Sequence, residues 1–221
     1  MASLKAAIVQ PTAKHTATVI FLHGLGDTGL GWEPVGRMLA PAFKHVKWIF
    51  PHAPHKKVTL NMGMAMPAWY DIYSLDKATA KEDESGMLAT VEEINRLIKT
   101  EIDAGISSDK IVLGGFSQGG AMTLLTGLTT NHKLGALVAL SGYLPLSSKI
   151  ESIKASVNDK TPVFMGHGTD DQVVQYEWGK KSMETLKSMG FNVTFRPYSG
   201  MGHSACDDEL RDLSHFLSSK L

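Results

Sequence analysis

Cysteine is scarce in this chain of 221 residues, with Cys206 the only one. A lone thiol excludes an intrachain disulfide framework and any cysteine-rich metal site, and it fits a reducing compartment. Net charge is missing too: 22 Lys and Arg stand against 22 Asp and Glu. No overall field therefore draws the chain to nucleic acid or to an anionic membrane surface. Long apolar runs are absent. The charge-free stretch 134–148 contains Ser, Gly and Pro and falls short of the ~20 apolar residues of a spanning helix. The opening MASLKAAIVQP holds too short an apolar stretch for a signal peptide, and Ala2 excludes N-myristoylation. There is no internal repeat and no low-complexity segment, so solenoid and linker architectures drop out.

What is present is a globular mixture, 43% hydrophobic and 20% charged, which predicts one domain over 1–221 with a sizeable core. Short apolar runs rich in β-branched residues alternate with segments of helical period, the pattern of a mostly parallel sheet with helices on both faces. Strands are expected over 16–22, 46–50, 111–115, 136–140, 161–165 and 193–198. The clearest helix covers 84–103, where Met87, Val91, Ile94, Ile98 and Ile102 form one stripe. Further helices are expected over 118–128 and 176–189, and a last one carries Leu210, Leu213, Phe216 and Leu217. The stretch 51–83 has no sustained period and is expected to line the mouth of a site, as long loops in compact domains commonly do.

The chemistry centres on residues 111–122, which read I-V-L-G-G-F-S-Q-G-G-A-M: a strand, a G-x-S-x-G turn and a helix start. Gly115 and Gly119 flank Ser117 because a sharp strand-to-helix turn leaves no room for side chains there, and the hydroxyl is lifted out of the sheet. A capping serine in a glycine-rich turn is the bland alternative. A serine hydroxyl needs a base to take its proton, and the base needs a carboxylate to hold its tautomer. The turn H-G-T-D-D-Q after the 161–165 strand offers Asp170 and Asp171. The loop S-G-M-G-H-S after the 193–198 strand offers His203, alone among nine histidines in lying late, in a Gly-flanked loop and directly after a strand. His167 reads as a loop-packing residue, and Cys206 as a small packed side chain. Oxyanion donors are expected from the N–H of Gln118, next to the nucleophile, and of Leu25, in the H-G-L-G-D-T-G loop after the first central strand. That loop lacks the pattern and the lysine of a phosphate cradle. An apolar groove is expected from Leu60, Met62, Met64, Met66 and Trp69, although alternating methionines equally describe a half-buried strand.

Together, H-G-L-G-D-T-G, L-N-M-G-M-A-M-P-A-W-Y-D-I, G-G-F-S-Q-G-G-A, H-G-T-D-D and G-M-G-H-S resemble the eukaryotic acyl-protein thioesterase and lysophospholipase family, from about residue 16 to the end of the chain. The resemblance implies an α/β-hydrolase fold without a large cap domain, and a Ser117–His203–Asp171 triad. The family's aspartate lies four residues after the histidine of H-G-x-x-D, which selects Asp171 over Asp170. The implied activity is hydrolysis of S-palmitoyl groups from protein cysteines, with action on small carboxylesters and lysophospholipids; a ligand receptor built on a hydrolase fold is the competing class. The expected partners are S-acylated proteins or acyl esters and at most a weak homodimer. No nucleic acid, stable membrane insertion, cofactor or metal is expected. Two positions depart from the family pattern: Ala2 stands where animal members often carry a lipidated cysteine, and Gln172 stands where many members have proline. The expected location is cytoplasmic, with Ser219-Lys220-Leu221 matching a peroxisomal address.

Overall fold

The computed structural model describes residues 4–74 and 81–221. Its centre is a seven-stranded sheet. In chain order the strands are β1 (Ala6–Val9), β2 (Ala17–Leu22), β3 (Val46–Pro51), β6 (Ile111–Phe116), β7 (Ala136–Leu140), β8 (Val163–Gly168) and β9 (Val193–Tyr198), while β4 (His55–Val58) and β5 (Met64–Pro67) form a separate antiparallel hairpin. The spatial order is β1-β3-β2-β6-β7-β8-β9. All neighbours run parallel except β1, which pairs antiparallel with β3.

Six helices accompany the sheet among the described residues: α1 (Gly29–Leu39), α2 (Glu84–Asp103), α3 (Gln118–Thr129), α4 (Ile150–Ile153), α5 (Tyr176–Ser188) and α6 (Asp207–Ser218). The two-residue period of a strand sends Ile20 and Leu22 of β2 into one apolar cluster and Val19 and Phe21 into the other. The first cluster takes in α2 through Met87, Val91, Ile94 and Ile98, with α3 and Leu186 of α5. The second takes in Trp32 and Leu39 of α1 and Leu213 and Leu217 of α6. Because both faces are covered, β2 and β7 are buried along their whole length, as parallel strands generally are. The described residues add no cap domain over the sheet, and no described helix is long and apolar enough to cross a membrane.

Where expectation and structure differ, the reason is local. The 161–165 strand forms instead over Val163–Gly168, since Gly166, His167 and Gly168 pair with Arg196, Pro197 and Tyr198 rather than starting a loop. Edge strand β1, hairpin β4–β5 and helix α1 are additions, and the expected loop 51–83 contains that hairpin. Residues 75–80 of that loop lie outside the described residues.

The fold places the site by topology. From β2 the chain moves outward to β3 and then returns to β6 on the other side of β2. The loops leaving β2 and β6 therefore diverge at a switch point, where open parallel sheets open a crevice beyond the strand C-termini.

Candidate active site

Ser117 follows β6 as the residue before α3 and sits at φ 54°, ψ −118°, a left-handed φ that costs roughly 1–3 kcal/mol for a residue with a side chain. The strain holds because the turn is enclosed. A Cβ at Gly115 would collide with the Gly119 backbone, and one at Gly119 with the Leu22 carbonyl, so only glycine lets the elbow press against β2.

Two later strands deliver the partners. Ser117 Oγ lies 2.9 Å from His203 Nε2, and His203 Nδ1 lies 2.7 Å from Asp171 Oδ2. The other Asp171 oxygen accepts the N–H groups of Val173 and Val174, both at 2.9 Å. The loops after β8 and β9 are laced together: Thr169 N–H reaches Tyr198 O, Asp170 N–H reaches Met201 O, and Gly200 N–H reaches Thr169 Oγ1. Acid and base are thus held by one connected turn pair. Behind the imidazole, Phe116 packs 4.8 Å from the His203 ring and 5.2 Å from Trp32.

The carboxylate choice is visible in exposure. Asp171 is buried at 3% and bonded to His203, while Asp170 is exposed and accepts from Thr169 Oγ1. His167 does more than pack. It is buried, donates Nε2–H to Val174 O at 2.7 Å, and lies 3.6 Å from Asp171 Oδ2, with burial holding its pKa below the usual histidine value. It stays neutral and braces the strap that feeds Asp171 its two N–H bonds.

Leu25 and Gln118 flank Ser117 in the wall of a cavity of about 420 Å³, within the ~300–1,000 Å³ range of small-molecule sites. As the first residue of α3, Gln118 has one of the N–H groups that a helix leaves without an internal acceptor. Its side chain has a role that the sequence did not disclose: Oε1 accepts Trp69 N–H and Nε2 donates to Tyr70 O, both at 2.8 Å. That amide clips the segment after β5 to the elbow.

Of the expected groove residues, the structure brings only Leu60 to the cavity. Met62 and Met64 are exposed at 88% and 54% on the hairpin, and Met66 Sδ accepts from Asn61 Nδ2. Trp69 is fully buried, its indole N–H on His23 O. The apolar wall comes instead from Trp32, Ile72, Leu144 and Trp178, with Leu25 and Leu60. These residues are scattered through the sequence, and no local pattern announces them. The 51–83 stretch does reach the mouth, through Leu60, Asp71, Ile72, Tyr73 and Glu82.

A parallel sheet of this order, with a strained serine at its switch point and an imidazole–carboxylate pair delivered from two later strands, defines a hydrolase of the α/β-hydrolase fold. Comparison narrows this class. The chain belongs to the phospholipase/carboxylesterase family, whose profile matches residues 4–221. It is 48% identical to acyl-protein thioesterase 1 of Cryptococcus neoformans, over 99% of this chain and 98% of that one. Among solved structures it is similar to Arabidopsis thaliana SOBER1, at 34% identity and TM-score 0.88, covering 93% of this chain and 99% of that one. It is also similar to Zea mays acyl-protein thioesterase 2, at 31% identity and TM-score 0.85, covering 98% of each.

Proposed function

We propose that this chain is an acyl-protein thioesterase that removes S-palmitoyl and related long-chain groups from protein cysteines. The observation that carries the reading is the relay Ser117–His203–Asp171 opening directly into a cavity walled by Trp32, Leu60, Ile72 and Trp178. A polar reaction centre thereby abuts an apolar chamber. The relatives' names supply the acylated-protein substrate.

In this reading Ser117 Oγ attacks the thioester carbonyl carbon while His203 Nε2 takes the hydroxyl proton. The carbonyl oxygen gains the negative charge against the N–H groups of Leu25 and Gln118, each such donor contributing on the order of 10²–10³ in rate. Collapse expels the cysteine sulfur, which takes the proton from His203, and leaves an acyl-serine. Water, deprotonated by the same nitrogen, then releases the fatty acid and restores Ser117. A thiol leaving group with a pKa near ~8.5 leaves more readily than an alkoxide, so thioester cleavage relies less on His203 as acid than ester cleavage does.

The same reading assigns the enzyme to the cytoplasm. Ser219-Lys220-Leu221 is held on the fold: Leu221 packs against the second apolar cluster, and Lys110 Nζ donates to the main-chain oxygens of Lys220 and Leu221 at 3.3 Å. A diffuse reporter signal from the full chain, with peroxisomal signal from the isolated tail, is the expected outcome.

The decisive experiment compares kcat/KM for a palmitoyl-cysteine peptide and a short aryl ester, in wild type and Ser117→Ala. Preference for the thioester, with both activities lost in the variant, supports the proposal. Turnover of the aryl ester alone would replace it with a carboxylesterase acting on small esters, the activity in the family's description.

A further inference from the structure

The two expected oxyanion donors belong to different elements, Leu25 to the loop after β2 and Gln118 to the start of α3. A donor pair is effective only if both N–H groups are fixed before charge develops, because preorganisation is the source of the stabilisation. What fixes the Leu25 group can be read from its neighbours.

His23 is fully buried, and its two ring nitrogens have opposite roles. Nε2 accepts the N–H of Ala53 at 3.0 Å, so the ring proton must sit on Nδ1, which then donates to the Gly24 carbonyl at 2.7 Å. That carbonyl belongs to the Gly24–Leu25 peptide. No peptide bond among the described residues is cis, and in a planar trans unit the C=O and N–H point in opposite directions. Pulling Gly24 O toward His23 therefore turns the Leu25 N–H away from His23. Ser117 stands close against this loop: a Cβ on Gly24 would lie 3.3 Å from Ser117 Cβ. The turn is closed by Asp27 N–H to Gly24 O, with Gly26 at φ 79° as its third residue and Gly26 N–H tied to Pro67 O. Positive φ at that position is the requirement of a type II turn.

Trp69 connects this loop to the other donor. Its indole Nε1–H donates to His23 O and its backbone N–H to Gln118 Oε1, both at 2.8 Å. Its own carbonyl accepts from Lys56 Nζ at 2.7 Å and from Thr90 Oγ1. One buried residue thus bonds to Gln118 and to His23, two positions before Leu25, and is anchored to β4 and α2.

We propose that His23 and Trp69 are positioning residues of the oxyanion site: His23 sets the orientation of the Gly24–Leu25 peptide, and Trp69 sets the separation of that peptide from Gln118. The inference rests on the serine-hydrolase reading, with Leu25 and Gln118 as donors. Neither residue touches substrate, so the cost of losing either falls on the transition state and not on substrate binding.

The test uses His23→Leu, His23→Asn and Trp69→Phe in the full chain, with steady-state hydrolysis of a medium-chain p-nitrophenyl ester. Inhibition is measured with two compounds of equal chain length: an alkyl trifluoromethyl ketone, which adds to the serine and forms an oxyanion, and a simple fatty alcohol, which does not. His23→Leu is expected to lower kcat by about 10²-fold with KM within threefold, since it costs one donor. Trp69→Phe keeps the bulk but loses the indole N–H, and should lower kcat by about tenfold or more, in the same pattern. The Ki of the ketone should rise in step with each loss while that of the alcohol holds. His23→Asn places an amide N–H where Nδ1–H stood and should recover at least tenfold over His23→Leu. If His23→Leu does not fold, the ketone-to-alcohol ratio in Trp69→Phe decides alone. Unchanged kcat, equal loss of ketone and alcohol affinity, or no difference between His23→Asn and His23→Leu would overturn the proposal. A wild type that fails to hydrolyse the ester would instead overturn the hydrolase reading.

Discussion

Replacing Asp171 by Asn is the sharpest probe of the relay, because the structure dictates how the new amide must orient. One Asp171 oxygen accepts two backbone N–H groups, from Val173 and Val174, and the other faces His203 Nδ1 at 2.7 Å. In the Asn variant the carbonyl oxygen must stay with the two N–H donors, since an NH₂ group there would leave both unpaired. The NH₂ then faces His203 Nδ1, and two donors meet unless the imidazole moves its proton to Nε2. That tautomer can donate to Ser117 but cannot take its proton. His167 offers no relief, because its Nε2–H is committed to Val174 O. A wrong tautomer in such a relay lowers kcat by about 10⁴-fold, or roughly 5 kcal/mol of barrier. KM should move little, for Asp171 does not line the cavity. The assay is p-nitrophenyl ester hydrolysis normalised to folded protein by near-UV circular dichroism, with Asp170→Asn as the control. Asp170 is exposed, and its variant should stay within about threefold, as surface changes usually do. Equal losses in the two variants, or a loss below tenfold in Asp171→Asn, would refute the reasoning.

Other expectations follow from strain and burial. Ser117→Gly should abolish turnover yet raise the melting temperature, because relief of roughly 1–3 kcal/mol of backbone strain exceeds the ~0.5–1 kcal/mol entropic cost of glycine; a lowered melting temperature counts against the strain. Glu209 of α6 is fully buried with neither carboxylate oxygen bonded, and burial pushes its pKa up from 4.5 to about 8. The folded state keeps a proton that the unfolded state releases, so this group's contribution to stability falls as pH rises, on the order of 3 kcal/mol between pH 5 and 8. Glu209→Gln should remove that slope in denaturant unfolding. His23 and His167, both lowered by burial, give the opposite slope below about pH 6.5, where unfolding releases them to protonate. Their contribution cancels in the comparison of wild type with variant, and parallel pH curves for the two proteins would contradict the role of Glu209.

Elements with one strong physical signature were legible in the sequence. Helix α2 spans Glu84–Asp103 as its apolar stripe requires, and β7 and β9 begin and end where the apolar runs do. Helix α1 was hidden because Gly29, Gly31, Gly36 and Pro34 suppress helical propensity, and only tertiary packing of Trp32 and Leu39 recovers it. Strand β1 has four residues and depends on its partner β3. At the site, the elbow and the His203 loop each carry a local glycine signature, whereas the cavity wall does not. Methionine and tryptophan advertise apolarity but not the direction in which they face, so Met62 turned outward and Trp69 inward. The clip made by the Gln118 side chain joins residues 49 positions apart, and no periodicity spans that distance.

The histidine of the relay hangs from β9, the last strand of the sheet, which is paired on one side only. Four of its six residues are not buried, whereas the strand under Ser117 has neighbours on both sides. Outer elements open at lower free energy than central ones. On gentle heating, catalysis should therefore fail while helix content is still native, as β9 loosens and carries the base out of reach of the serine. The working temperature ceiling of this molecule is set at one margin of its sheet, and the effective place to raise it is the β8–β9 seam rather than the core.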